Sequence, residues 1–337
     1  MRGITRLEIH MNTMRIRSDL FIDWLSLTIH ISPSQHQSVK GALEHLRVAG
    51  ELERIDDQYS EFRKGYRYAY RLMFDEDLFC AIQIEPYKNG VRFMRLEWNP
   101  NSAQRVCPEA TTRLLQVLAE CTPGDPMQLI ANARITRIDL TFDLHRIALD
   151  SFFVHATLRK NYSGQYFQLH ENFEPKGKLN ARYIGKSDSG QYLLMYDKRL
   201  EAEMQQIRRN PRHRREDRSP SGLRRIMPTR TRFEMRLRKV GSWRQLRTLP
   251  NPFEKYTVVS YENLGGVRHD HHWKFFVWAC QTRGVQAVLS EIKNPRERKK
   301  YDDALKLGEP PSWWNPSLIQ AELPAAIYRV FGTEMGT

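Results

Sequence analysis

Three short stretches of the chain alternate apolar and polar residues with a period of two, the spacing of β-strands that bury one face. They are Arg137-Ile-Asp-Leu-Thr-Phe-Asp143, Tyr192-Leu-Leu-Met-Tyr-Asp-Lys198 and Arg232-Phe-Glu-Met-Arg-Leu-Arg238. The first is expected to bury Ile138, Leu140 and Phe142 and to present Arg137, Asp139, Thr141 and Asp143. The second buries Leu193, Met195 and the stem of Asp197, leaving Tyr192, Leu194, Tyr196 and Lys198 opposite. The third buries Phe233, Met235 and Leu237 and presents Arg232, Glu234, Arg236 and Arg238. If these strands are neighbours, three carboxylates, a tyrosine and several cations share one surface. Such a surface suits a divalent metal beside a phosphodiester and a tyrosine nucleophile.

Charge and length narrow the setting. With 337 residues the chain can bury a substantial core, as one large domain or two smaller ones. Lys and Arg number 53 against 39 Asp and Glu, a formal net charge of +14 that favours a polyanionic partner, nucleic acid before membrane. Cys80, Cys107, Cys121 and Cys280 are scattered without CxxC spacing, so neither a disulfide framework nor a zinc site is expected. The apolar runs fall far short of the roughly 20 residues that span a bilayer, and no secretory signal is visible. The expectation is a soluble cytoplasmic protein.

Periodicity and punctuation give an α+β order. Phe21 to Ile29 reads as a strand, followed by a helix capped by Ser32, with Pro33 in its first position, that runs to Val48. Strands are expected at Tyr66 to Phe74, Cys80 to Glu85 and Gly90 to Trp98, then a helix over Pro108 to Cys121. The second half repeats the theme: a strand at Ile135 to Asp143, a helix at Leu149 to Arg159, and strands at Gln165 to His170, Ala181 to Ile184, Tyr192 to Lys198 and Thr231 to Lys239. Antiparallel sheets with helices on one face follow, and duplication of a single unit is one way to build them. The last third is helical over Trp273 to Thr282, Val285 to Ile292, Pro295 to Leu307 and Pro316 to Phe331, with Pro324 a point where the last helix can split. This divides the chain into an extension (1–20), a first half (21–130), a second half (131–260) and a helical tail (261–337). Ten arginines between Arg208 and Arg232, against only Glu216 and Asp217, mark an insertion over 207–230. It reads either as a solvated loop or as an arm that grips phosphates.

Four of these motifs stand in a familiar order. Asp23-Trp-Leu-Ser26, Arg137-Ile-Asp-Leu-Thr-Phe-Asp143, Tyr183-Ile-Gly-Lys-Ser-Asp-Ser189 leading to Tyr196-Asp-Lys198, and Thr231-Arg-Phe-Glu-Met-Arg-Leu237 together resemble the replication initiation factor (Rep_trans) family. These are rolling-circle initiators of plasmids and filamentous phages, and the similarity runs from about Phe21 to Tyr256. The resemblance implies an enzyme that nicks one strand at an origin, linking a tyrosine to the 5′-phosphate and freeing a 3′-OH. Mapped by motif, Tyr196 is the nucleophile and Asp139, Asp143 and Glu234 are metal ligands. Origin duplex with local single-stranded character would be the substrate, a host helicase and DNA polymerase the partners, and a homodimer the assembly. The long arginine-rich insertion departs from shorter relatives.

The chemistry suits those residue types. A phenol with a pKa near 10 needs about 4 kcal/mol of phenolate stabilisation to fall by about three units. Lys198 and a bound cation are the sources, with Arg236 placed to hold a non-bridging oxygen. Hard Mg²⁺ or Mn²⁺ matches an Asp, Asp, Glu donor set.

Bland readings compete. Tyr196 is also an ordinary strand tyrosine, with Tyr192 and Tyr183 as rivals for its role, and the carboxylates can pair with Arg137 and Arg236 in a charge ladder. His269-Asp-His-His272 lacks the His-hydrophobic-His pattern of another nickase class and precedes a helix, so a cap or DNA contact is its expected role. A non-catalytic origin binder or repressor shares the positive charge but gains nothing from carboxylates that repel phosphate. A conjugative relaxase of the same family would use the same site. No GxxxxGK[ST] motif is present, so strand separation falls to a partner.

Overall fold

The computed structural model describes residues 16–57, 60–87, 93–156, 181–185, 189–199, 201, 229–260, 271–283 and 285–333. Most of the arginine-rich insertion, the expected strand at Gln165 to His170, and His269 with Asp270 lie outside them. The fold is α+β with a helical C-terminal region. Its strands form one nine-stranded antiparallel sheet and a separate two-stranded ribbon.

The strands are β1 (Phe21–His30), β2 (Glu53–Arg54), β3 (Tyr66–Asp75), β4 (Leu78–Pro86), β5 (Phe93–Trp98), β6 (Arg134–His145), β7 (Phe152–Ala156), β8 (Ala181–Ile184), β9 (Gln191–Asp197), β10 (Arg230–Gly241) and β11 (Tyr256–Ser260). The large sheet runs β2-β3-β4-β5-β1-β6-β10-β9-β8, and β11 pairs with β7. The connectivity repeats. In the first half a strand (β1) is followed by a meander, β3-β4-β5, whose last strand returns beside it. In the second half β6 is followed by β8-β9-β10, and β10 returns beside β6. Arg95-Leu-Glu97 on β5 and Arg232-Phe-Glu234 on β10 therefore hold the same topological place.

Packing divides the chain into two units. One, the amino-terminal unit, comprises Leu20–Leu140, Arg236–Pro250 and Glu322–Thr337. Its helices are α1 (His36–Val48), α2 (Pro100–Val106), α3 (Ala110–Cys121), α4 (Pro126–Asn132), α5 (Trp243–Thr248) and, from the far end of the sequence, α10 (Leu323–Phe331). Three have local start signals: the Asn99 side chain accepts from Ser102 N–H, Asp125 accepts from Met127 N–H, and Ser242 with Gln245 forms a capping box. Trp243 is fully buried and donates Nε1–H to the Ile130 carbonyl at 2.9 Å. The last helix closes the unit: Glu322 accepts from the Leu20 N–H at 2.7 Å and Arg329 donates to the Leu20 carbonyl at 2.9 Å. The Phe331 ring meets Trp98 and Trp243 edge-on.

The other, the tyrosine unit, comprises Met1–Asp19, Thr141–Met235 and Asn251–Ala321. Its core is aromatic. Phe233 stacks on Phe142 at 5.0 Å and Phe152 at 5.5 Å, and Trp313 and Trp314 each lie 5.7 Å from it. Helices α6 (His271–Arg283), α7 (Val285–Glu291) and α8 (Pro295–Leu307) build a satellite core in which Phe276 stacks on Tyr301 at 4.3 Å; α9 (Pro316–Ala321) follows.

Several expectations are corrected. The helix expected over Leu149 to Arg159 is replaced across its described residues, 149–156, by a 3₁₀ turn at Leu149–Ser151 that leads into β7, whose Phe152 pairs with Ser260 of β11. The first helix begins at His36 rather than Pro33: Ser32 Oγ accepts from the Gln35 N–H at 3.3 Å and Gln35 Oε1 accepts from the Ser32 N–H at 3.2 Å, but this reciprocal pair closes a turn over Pro33 to Gln35 that precedes the helix. The final helix is split into α9 and α10, as Pro324 allows: it stands in the first turn of α10, where its missing N–H costs nothing. Among the described residues no helix is long and apolar enough to cross a membrane.

Phe233→Ala is expected to destabilise the protein by about 3–5 kcal/mol, because it opens a cavity among four aromatic rings. The urea midpoint of unfolding, at unchanged slope, measures it.

Candidate active site

The two faces of β6 and β10 are not one buried and one wet. Asp139 and Asp143 are 1% and 2% exposed, Arg232 2% and Glu234 6%. This corrects the expectation that their polar faces are presented to solvent. Tyr192 is likewise buried, not presented. The physical reason lies in neighbouring strands, which supply guanidinium groups at hydrogen-bonding distance and so make burial of the carboxylates tolerable.

In the tyrosine unit Asp143 is gripped from β10. Arg232 Nε donates to its Oδ1 at 2.7 Å and Arg232 Nη2 to Oδ2 at 3.1 Å, a two-pronged contact, and Arg230 donates to Oδ2 through Nε at 2.9 Å and through Nη2. Burial would raise the carboxyl pKa, but the hydrogen bond and charge of Arg232, joined by the charge of Arg230, outweigh it and hold Asp143 below the ordinary carboxylate value. The Asp143 backbone is fixed as well, since its N–H donates to Ser18 Oγ at 2.8 Å and its carbonyl accepts from Ser18 N–H at 2.8 Å.

Tyr196 lies near the end of β9, in register with Ala181 of β8, and is half-buried. Asp197 explains the residue after it: its carboxylate accepts from Arg199 N–H at 2.9 Å, ends the strand and starts a helical turn. Lys198 belongs to that turn and not to the strand face, a second correction. Its ammonium nevertheless sits 5.7 Å from the centre of the Tyr196 ring and also pairs with Glu201. Tyr183 and Tyr196 are half-exposed whereas Tyr192 is 4% exposed, so of the three Tyr192 is the least able to reach a substrate. Gly185, which follows β8, has φ +102°, and a Cβ there would stand 3.1 Å from the Tyr192 Cβ. The hairpin carrying the tyrosines thus needs glycine at that corner.

The remaining predicted residues pack in the amino-terminal unit. Asp139 takes Arg137 in a two-pronged contact (Nε to Oδ1, 2.9 Å) and Arg236 Nε at 3.1 and 3.0 Å to its two oxygens. The Arg137 guanidinium lies 4.9 Å from the Trp24 ring, and Trp24 Nε1–H donates to Glu97 at 2.9 Å. Arg230, Trp24 and Glu97 went unassigned in the sequence. Arg230 carries no signal beyond its place two residues before Arg232, whereas Trp24 and Glu97 sit in strands whose motifs were visible.

Asp139 and Asp143 each already bind two guanidinium groups, and among the described residues no group of three or more His, Cys, Asp or Glu side chains is placed to hold a metal. The residues as arranged do not fit Mg²⁺ or Mn²⁺; what they build is a pair of arginine clamps.

Neither a family model nor a curated protein matches the chain. Among solved structures it is similar to a rolling circle replication initiator protein from Geobacillus stearothermophilus, with 13% identity, a TM-score of 0.38, and coverage of 79% of this chain and 98% of that one.

Asp143→Asn gives a pH-dependent prediction. A carboxyl whose pKa is lower folded than unfolded stabilises the fold above the unfolded value, about 3.9, and loses that contribution as pH falls through the folded value. The substitution is therefore expected to cost about 3–5 kcal/mol at pH 7, and the gap to wild type to begin narrowing as pH falls below about 4. Urea titrations at pH 7, 4 and 3 measure the size of the gap and the direction of its change.

Proposed function

We propose that the chain is a rolling-circle replication initiator whose Tyr196 nicks one DNA strand. The observation that carries the reading is β9 lying beside β10 and β10 beside β6, so the motif strands of the resemblance are adjacent as it requires. The Tyr196 hydroxyl attacks the scissile phosphorus, a Tyr–O–P bond forms, and the P–O3′ bond breaks. The 5′-phosphate stays on the tyrosine, the 3′ oxygen leaves as a hydroxyl after taking up a proton, and the phenolic proton is lost. The bond energy is kept in the tyrosyl ester, so the 3′-OH can reverse the step.

Lys198 favours the phenolate by placing a positive charge close to the ring. Arg230, aligned by Asp143 and still 31% exposed in its side chain, is suited to steady a phosphate, whereas the buried Arg232 holds Asp143 in place: a clamped guanidinium loses little freedom on binding, and its fork matches phosphate oxygens. Asp143 is in this reading a positioning residue. The metal role expected for Asp139, Asp143 and Glu234 would require the first two to leave their arginine partners, and no step here runs through a metal.

A non-catalytic origin binder is the second reading, favoured by how fully the carboxylates are neutralised. The two separate in one experiment. Supercoiled plasmid bearing a candidate origin, with EDTA or with Mg²⁺ or Mn²⁺, is expected to yield a protein–DNA adduct on a denaturing gel, and Tyr196→Phe is expected to lower its yield by at least 100-fold. Adducts that persist in the variant would move the nucleophile to Tyr183 or Tyr192. Specific binding without cleavage under every condition would leave the binder.

A further inference from the structure

One sheet face in the amino-terminal unit carries polar groups that the proposed chemistry does not use. Strand pairing defines it: Glu97 lies opposite Ser26 on β1 and Ala81 on β4, Arg95 opposite Thr28 and Gln83, and Arg71 of β3 opposite Ala81. Residues two apart share the face, which adds Trp24, and the Trp24 contacts to Glu97 and Arg137 continue it onto β6, where Asp139 carries it to Arg236 of β10. The side chains form a connected line, Arg95–Glu97–Trp24–Arg137–Asp139–Arg236, with Arg71 beyond it over the Phe79 ring at 5.0 Å. Five strand spacings from β3 to β10 give it a length of about 24 Å.

Three properties of this face point to a ligand. Arg95, Arg137 and Arg236 remain 28%, 20% and 16% exposed in their side chains, enough for an incoming group to touch them while their carboxylate partners are more deeply set. Aromatic surface is interleaved with the arginines: Trp24, Phe62 and Phe79 are each half-buried, with Phe62 stacked on Trp24 at 6.4 Å and edge-on to Phe79 at 5.0 Å. Finally, Arg71 Nε, Arg95 Nε and Gln83 Oε1 are enclosed yet have no hydrogen-bond partner, although the Gln83 amide donates to the Phe62 carbonyl. Polar atoms left so in a folded protein call for a further partner. Charge sets its sign: Arg71, Arg95, Arg137 and Arg236 outnumber Glu97 and Asp139, and Glu53 opposite Arg71 is exposed and screened.

We infer that this face is a track for single-stranded nucleic acid, with the arginines on phosphates and the Phe62 ring, backed by Trp24, against unpaired bases. Stacking on half-buried rings needs bases free of their complements, and alternating cations and aromatics on an open sheet is how unpaired strands are held without sequence readout. The inference rests on the proposed function for the origin of the strand, which is the one opened at the nick, but not for the binding itself.

The test uses full-length Tyr196→Phe protein, so that no covalent step intrudes, and a fluorescent 16-nucleotide strand with its duplex as comparison. Anisotropy titrations across 50–200 mM salt are expected to show the Arg71→Gln/Arg95→Gln variant binding the strand at least 10-fold more weakly. Its log K against log salt slope should be shallower by about 1.4, two phosphate contacts at about 0.7 each. Arg71→Lys/Arg95→Lys should keep most of the affinity. In the protein with both arginines intact, photocrosslinking of a bromouracil-containing strand should label peptides bearing Trp24 or Phe62. Unchanged affinity and slope in a folded glutamine variant, equal binding of duplex, or crosslinks confined to other peptides would each overturn the track. Adduct formation by protein with Tyr196 intact reports on the proposed function separately: adducts with an unchanged glutamine variant sink only the track, and strand binding through these arginines without adducts sinks only the nickase.

Discussion

The structure depends on burying carboxylates inside a sheet. β6 is covered on both faces, so Asp139 and Asp143 cannot be left to water, and an isolated buried carboxylate would cost several kcal/mol. Each is made tolerable by two arginines, drawn from β10 for Asp143 and from β6 itself and β10 for Asp139. Strand register is thereby enforced twice over. A slip of one residue between β6 and β10 would put guanidinium groups against the aromatic core and aspartates against nothing. The apolar face adds its own lock, since Phe142 and Phe233 sit one residue away from those charges and stack on each other.

The same clamps bear on function. A carboxylate holding two guanidinium groups is poor at binding a cation but good at fixing the direction in which arginine N–H groups point. The motif Arg-x-Asp-x-x-x-Asp, suggestive of metal when read as a string, acts in this fold as a scaffold for cations. A surface of pre-aligned arginines is suited to a polyanion, which agrees with a chain carrying a net charge of +14.

Strand periodicity made much of this legible. Period-two alternation located β6, β9 and β10, and runs of aliphatic and aromatic residues located β1, β3, β4, β5 and β8, to within a few residues. It failed where tertiary pairing decides. Phe152-Phe-Val-His-Ala156 is as apolar as a helix face, and only β11, about a hundred residues away, makes it a strand. The helices α2, α4 and α5 were passed over although Asn99-Pro100, Asp125-Pro126 and the Ser242/Gln245 pair are start signals; each helix has only six or seven residues, too few for a periodic pattern. Alternation predicts which residues share a face. It says nothing about what a neighbouring strand sets against that face, so the burial of Asp139, Asp143 and Tyr192 was out of reach.

The clasp on Leu20 bears on the birth of the protein. β1 is among the first described elements to be made, yet the groups that hold its first backbone N–H and carbonyl sit on Glu322 and Arg329, some three hundred residues later. At roughly 5–20 residues per second, ~15–60 s separate the two on the ribosome. During that interval Trp98 and Trp243 lack the Phe331 ring that seals them. A nascent chain that has not reached Glu322 thus has an unfinished amino-terminal unit, and that unit can close only once α10 has left the ribosome.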